Sequence, residues 1–403
     1  MNAASNRTQN KHNNALLIAA IILVAIALRP GIVAVGPVLP MIIADFNLSH
    51  TTASLLTTIP GLLMGLLALP APWLARRYGR NTVLLVSLAI LSTSMLIRAF
   101  APNTSAMLAV TFLVGAGIAV PGALFGGIVK SRFPGHTAII IGIYSAALSL
   151  GSTVSAAMSG VIAQHASSGW RMAIGVWSVL GAVAALVWLL VVRDERRHAS
   201  VEAISLPTSL PIRNGKAWLI ALFFACDNFL FYSILPWTAS MYQEQGIAPD
   251  KAGLILACFF AVFMISNPII GTLSKSLDRR AWLGLCSVIT ILGLLGLAVA
   301  PLASPFLWVA LCGFGLGGAF TLGMTLPLDN THSADAANSW TALMLTTTYL
   351  IAASGPLIVG KIRDVTGSFQ TSYTVLLIAG FAMLAMSFFL SPTKAIVFRQ
   401  REA

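Results

Sequence analysis

The stretch Ala15–Met41, ALLIAAIILVAIALRPGIVAVGPVLPM, leaves a polar terminus and stays apolar apart from one charge, Arg29. A helix that crosses a bilayer needs ~20 residues of this kind. Away from water, every backbone N–H and C=O must also find its partner inside the segment. A secretory signal core is shorter, ~7–15 residues, and ends in a small-residue cleavage site. This run is too long and shows no convincing site of that kind, so it is expected to remain as a membrane helix. Working outward, the same signature recurs at roughly 52–75, 82–101, 106–129, 138–163, 170–192, 217–241, 252–274, 281–300, 306–328, 338–360 and 370–391.

The composition agrees. Of 403 residues, 57% are hydrophobic and 9% charged, with a mean hydropathy of +0.87, against about 25% charged in soluble domains. So few charges cannot cover a soluble globule, and the apolar excess must face lipid. The expected fold is an all-α polytopic membrane protein with twelve transmembrane helices. A net charge of +12 would suggest nucleic acid in a soluble domain; here it belongs to loops that set orientation. With the N-terminus cytoplasmic, eighteen Lys and Arg fall on the inner side and five on the outer, with Arg29 in the membrane. The loop 329–337 and the pair Lys361 and Arg363 run against that trend locally.

One connection is long. Arg193 to Lys216 carries the run Arg193-Asp194-Glu195-Arg196-Arg197 followed by Pro207 and Pro211, and it separates six spans from six. The expected organisation is a cytoplasmic tail at 1–14, a six-helix half at 15–192, a cytoplasmic loop at 193–216, a second six-helix half at 217–391 and a cytoplasmic tail at 392–403. The halves overlay with one offset. Gly115-Ala116-Gly117 and Gly313-Phe314-Gly315 are 198 residues apart, and the same shift puts Arg77 and Arg80 on Lys275 and Asp278, in matching basic turns. Parallel six-helix repeats of this kind are a known plan of secondary transporters.

An ionisable group at mid-bilayer costs ~3 kcal/mol or more on insertion scales and is a functional candidate by default. Two stand out: Arg29 in Leu28-Arg29-Pro30-Gly31 and Asp227 in Cys226-Asp227-Asn228-Phe229, again 198 residues apart. A guanidinium facing a watery cavity would bind an anion through charge-assisted hydrogen bonds. The competing reading makes Arg29 a structural lock on Asp227, or on carbonyls freed by Pro30. Asp227 serves as counter-charge or as a proton-coupling group. Asp329, at the inner end of span ten, is a gating or coupling candidate, together with Arg77 and Arg80 in the turn after span two.

The remaining side chains narrow the chemistry. His12, His50, His136, His165, His198 and His332 all fall in tails or expected loops, which argues against a histidine relay in the membrane. Cys226, Cys258, Cys286 and Cys312 sit in apolar runs without CxxC spacing, as buried thiols rather than metal ligands. Asn228, Phe231, Tyr232 and Trp237 follow Asp227 along span seven, and Tyr144 and Tyr349 bring hydroxyls deep into spans five and eleven. All six are candidate cavity residues. No HExxH motif and no acidic pair on one membrane helix face is present, so an enzyme is not expected, nor a metal or other cofactor.

Several of these stretches together resemble the cyanate/nitroimidazole transporter branch of the major facilitator superfamily. They are Leu28-Arg29-Pro30 with Val35-Gly36-Pro37-Val38-Leu39-Pro40, Leu55-Leu56-Thr57-Thr58-Ile59-Pro60, Tyr144-Ser145-Ala146-Ala147-Leu148, Phe231-Tyr232-Ser233 with Trp237, and Gly315-Leu316-Gly317-Gly318-Ala319-Phe320 with Leu328-Asp329. The resemblance covers all twelve spans. It implies the major facilitator fold, two pseudo-equivalent six-helix halves forming an alternating-access carrier in a bacterial inner membrane, with Arg29 as ligand of a small anionic or polar substrate. Two departures stand against the pattern: Arg76 where the loop after span two usually has an acidic residue, and Asp227 where span seven usually has a neutral polar one.

The resulting expectation is a monomeric secondary active transporter moving a small anionic or small polar, cyanate-like substrate, with protons as a possible co-substrate and no nucleic-acid partner. The alternative is a multidrug exporter of lipophilic cations or neutral compounds, working by proton antiport through Asp227.

Overall fold

The computed structural model describes residues 16–68, 70–133, 136–195, 210–276, 278–331 and 334–392. The N-terminal tail, residues 196–209 of the central connection and residues 393–403 lie outside them. Among the described residues the regular elements are helices only. Eleven are long and apolar enough to cross a membrane: span one (Leu16–Phe46), three (Arg80–Ala99), four (Thr104–Val129), five (Ile139–His165), six (Trp170–Arg193), seven (Gly215–Glu244), eight (Pro249–Leu273), nine (Arg280–Val299), ten (Pro305–Asp329), eleven (Ala336–Thr366) and twelve (Phe369–Ser387). The helices His50–Leu66 and Pro70–Tyr78 together form span two and make the count twelve.

Local chemistry fixes several starts. Ser49, Asn103, Asn214 and Ser368 cap spans two, four, seven and twelve, their side-chain oxygens accepting from backbone N–H groups that a helix start leaves without partners. Proline fixes the breaks. Span one is helical over 16–28 and Pro30–Val33, passes through a short 3-10 turn at Gly36–Val38 and resumes at Leu39–Phe46. Pro30, Pro37 and Pro40 supply no N–H to its ladder. The break falls at Arg29, whose carbonyl accepts from the backbone N–H groups of Ile32 and Val33.

Packing carries the repeat into three dimensions. A methyl added at Gly117 would lie 2.8 Å from Leu91 of span three, and one at Gly315, 198 residues on, would lie 2.5 Å from the Cys286 carbonyl of span nine. Gly115 meets Pro60 of span two, and Gly313 meets the Phe259 carbonyl of span eight. Each glycine lets the same pair of helices touch in its own half. Outward, the bundle presents apolar side chains such as Leu186, Val299 and Ile378, as a lipid-facing surface must.

The two halves meet tightly at one end. There Gly160 of span five abuts the Pro249 carbonyl of span eight, Gly253 abuts the Ala156 carbonyl, Gly36 of span one abuts the Leu235 carbonyl and Gly360 of span eleven abuts the His50 carbonyl. At the opposite end, Gly122, Gly126 and Gly127 of span four and Gly142 of span five face open space. The closed end holds the connections 47–49, 245–248 and 367–368. Phe133 and His136, between spans four and five, lie at that opposite end.

Candidate functional site

Between the halves lies a cavity of about 640 Å³, counting its open mouth. Helical spacing builds its walls. Ser145, Leu148, Ser149 and Ser152 present one face of span five, Asn228, Phe231 and Tyr232 with Asp227 one face of span seven, and Phe260, Phe263 and Asn267 one face of span eight. Arg29, Phe320 and Tyr349 complete it from spans one, ten and eleven. Charge, hydroxyls and amides thus share the cavity with a cluster of rings: Phe231 lies 5.1 Å from Phe263, which lies 5.7 Å from Phe320.

Arg29 is half-buried and, among the described residues, takes part in no salt bridge. Tyr232 and Tyr349 line the same cavity beside it. Asp227 lines the same cavity but is 1% exposed; its Oδ1 has no hydrogen-bond partner, and its Oδ2 lies 3.5 Å from the Asn228 amide nitrogen. The two mid-membrane charges that the 198-residue offset pairs therefore share one cavity without forming an ion pair. Arg29 is not locked onto Asp227, and its guanidinium faces the cavity with hydrogen-bonding capacity to spare.

The other candidates divide by location. Asn228, Phe231, Tyr232 and Tyr349 line the cavity. Tyr144 stacks on Phe125, ring centroids 5.2 Å apart, just behind the serine face. Trp237 lies away from the cavity: fully buried at the closed end, it donates Nε1–H to the Pro356 carbonyl at 3.0 Å and packs against His50 and Phe369. Asp329 pairs with Arg279, which also donates to the Ser274 carbonyl at 2.9 Å, so the turn after span eight is pinned to span ten within one half. Arg77 lies over the rings of Trp73 and Tyr78, and Arg80 begins span three. Outside the spans, hydrogen bonds from the Arg280 guanidinium hold the Asp278 carboxyl below its ordinary range.

Three features escaped the sequence reading. The serines at 145, 149 and 152 are polar positions on one face of span five, and Asn267 is a lone amide in the apolar run of span eight. Arg98, counted with the outer loop charges, is fully buried instead, and its Nη1 donates to the Gly31 carbonyl at 3.0 Å, at the break that follows Arg29. His50, placed in a loop, forms the first residue of span two and joins an ionic cluster across the halves. Nothing local in the sequence signals either contact, because the partners lie 67 and 314 residues away.

The profile of the Major Facilitator Superfamily matches residues 17–237 and 217–403, nearly the whole chain in two overlapping parts. The chain belongs to the major facilitator superfamily. Within the superfamily it is 28% identical to the cyanate transport protein CynX of Escherichia coli (strain K12), over 92% of this chain and 97% of that one. It is 27% identical to the 2-nitroimidazole transporter of the same organism, over 89% and 91%. Among solved structures, the bacterial homolog to the human lysosomal transporter Spinster, in an inward-facing and occupied conformation, superposes with a TM-score of 0.81 at 17% identity, covering 94% of this chain and 96% of that one. That likeness establishes the major facilitator fold. This superfamily member is a multi-pass membrane transporter of small molecules, not an enzyme.

Proposed function

We propose that the chain is a secondary carrier for a small anion or small polar compound, working by alternating access, with Arg29 as the substrate anchor. The observation that carries this reading is a mid-membrane guanidinium that lines the cavity and, among the described residues, has no carboxylate partner. Burying a charge is costly unless something compensates it, and a substrate anion provides the compensation. Ser149, Ser152, Asn228, Asn267 and Tyr232 add neutral polar groups to the same cavity. Asp227, in the same cavity, acts as counter-charge, offsetting part of the Arg29 charge when no substrate is bound. The relatives named for cyanate and 2-nitroimidazole transport support a small, polar substrate.

The excess of basic residues on one side supports a bacterial inner-membrane protein with both termini cytoplasmic and the closed end facing outward. A monomer suffices, since one chain supplies both halves of the cavity. Calorimetric titration of the purified protein with cyanate and with nitrite is expected to show binding at one site that is lost in Arg29→Ala with folding intact. Equal affinity in wild type and Arg29→Ala would overturn the reading.

The ring cluster Phe231, Phe260, Phe263 and Phe320 beside Asp227 favours a second reading, export of lipophilic cations or neutral compounds. In that case, overexpression raises tolerance to lipophilic cations and Asp227→Asn abolishes the effect.

A further inference from the structure

At the closed end, His50 lies between two carboxylates of the other half. Its Nδ1 is 2.8 Å from Asp364 Oδ1, and its Nε2 is 3.3 Å from Glu244 Oε1. Asp364 also accepts from the backbone N–H of His50 at 2.9 Å, from the backbone N–H of Thr51 at 2.8 Å and from the Thr51 hydroxyl at 2.6 Å. A carboxylate from span eleven thereby satisfies two of the N–H groups that open span two. Arg363 donates Nε–H to Glu244 at 3.1 Å, while Trp237 and Phe369 enclose the imidazole at 5.7 and 5.6 Å.

The groups that face the ring are thus Glu244 from span seven, Asp364 and Arg363 from span eleven, and two aromatic rings. A neutral imidazole has one N–H and can serve one carboxylate; its other nitrogen would point a lone pair at the second. The imidazolium serves both. Its charge also balances the cluster, since Arg363 alone leaves the two carboxylates with one negative charge in excess. Spans two, seven and eleven converge here, and they are drawn from both halves. Separating the halves at this end breaks every bond that His50 and Thr51 make here, while the Arg363–Glu244 bond stays within the second half.

We propose that His50 is a proton-binding site that latches the closed end, so that closure takes up a proton and opening releases one. The latch stands on the cluster geometry. Only its consequence for uptake, a proton moving with each passage through this closed conformation, rests on the carrier reading above. Neither Asp227 nor Asp329, the acids expected to couple protons, is needed for it.

Hydrogen–deuterium exchange reads the latch directly and needs no substrate. The His50 and Thr51 amides lie at a helix start and are protected here by Asp364 alone, so their exchange reports separation of the halves. With rates resolved to single residues and normalised for the intrinsic pH dependence of exchange, the wild type is expected to protect both amides about tenfold more at about pH 5.5 than at about pH 8, the range across which imidazole titrates. His50→Gln should flatten that dependence. Glu244→Gln should flatten it too, since the neutral ring then serves Asp364 unopposed, and this variant keeps the Asp364 bonds should His50→Gln fail to fold. Equal protection at the two pH values in the wild type, or a dependence that survives both substitutions, would overturn the proposal whatever uptake assays show. Loss of anion transport activity with the exchange pattern intact would instead count against the carrier reading and leave the latch standing.

Discussion

Arg279 and Asp329 show how this chain handles charge near the membrane interface. Their side chains are 13% and 10% exposed, and Arg279 is further held by the Ser274 carbonyl and hydroxyl. A pair this enclosed costs more to break on one side than to remove whole, because a lone buried charge keeps its desolvation penalty. Arg279→Ala is therefore expected to destabilise the protein by ~3 kcal/mol, and the double substitution Arg279→Ala with Asp329→Ala by less than either single change. Thermal unfolding in detergent checks the cycle. Arg29 differs in kind: it is half-buried, lines a cavity and, among the described residues, has no ion-pair partner. The first arrangement is structural and the second leaves capacity for a ligand. The sequence showed both charges, but it could not show which of them had a partner, because the carboxylate that pairs with Arg279 sits on another helix.

Among the elements, spans five and eight make the closest seam between the halves. A methyl added at Gly160 would sit 2.3 Å from the Pro249 carbonyl, and one at Gly253 would sit 2.6 Å from the Ala156 carbonyl. Both obstacles are backbone, which cannot rotate away. Gly160→Val should therefore disfavour the closed end by at least ~1–3 kcal/mol, the cost of overpacking. Uptake is expected to fall about tenfold or more while each half keeps its own fold, a separation that transport assays alongside circular dichroism would show. Proline accounts for the break in span one, where Pro30, Pro37 and Pro40 fall in the interrupted stretch, while span two runs as one helix through Pro60. The breach between Leu66 and Pro70 was not anticipated, since Leu67 and Ala68 continue the apolar pattern. Hydropathy reads what a segment is dissolved in, and the path of its backbone is a separate matter.

At the scale of the whole molecule, the twelve-span architecture and its internal repeat followed from composition, from the spacing of apolar runs and from one offset of 198 residues that relates glycines and charges alike. The cavity was half legible. Arg29, Asp227, Asn228, Phe231, Tyr232 and Tyr349 line it, and each stood out as a charge, amide or aromatic group deep in an apolar run. Trp237 stood out for the same reason but faces the closed end, because periodicity assigns a residue to a helix face without saying what that face meets. The His50 cluster was illegible, since its members come from three helices far apart in the chain.

Together these features describe a carrier whose halves close on one side through a seam and the proposed ionic latch, and whose cavity holds an arginine with no salt-bridge partner among the described residues. The most direct test of that description is uptake of labelled cyanate and nitrite into proteoliposomes, with and without an imposed pH gradient, comparing wild type, Arg29→Lys and Arg29→Ala. The account predicts accumulation by wild type, a loss of at least about tenfold in Arg29→Lys because an ammonium cannot reproduce the guanidinium's paired donors, and background flux in Arg29→Ala. Normal uptake by Arg29→Ala would contradict it.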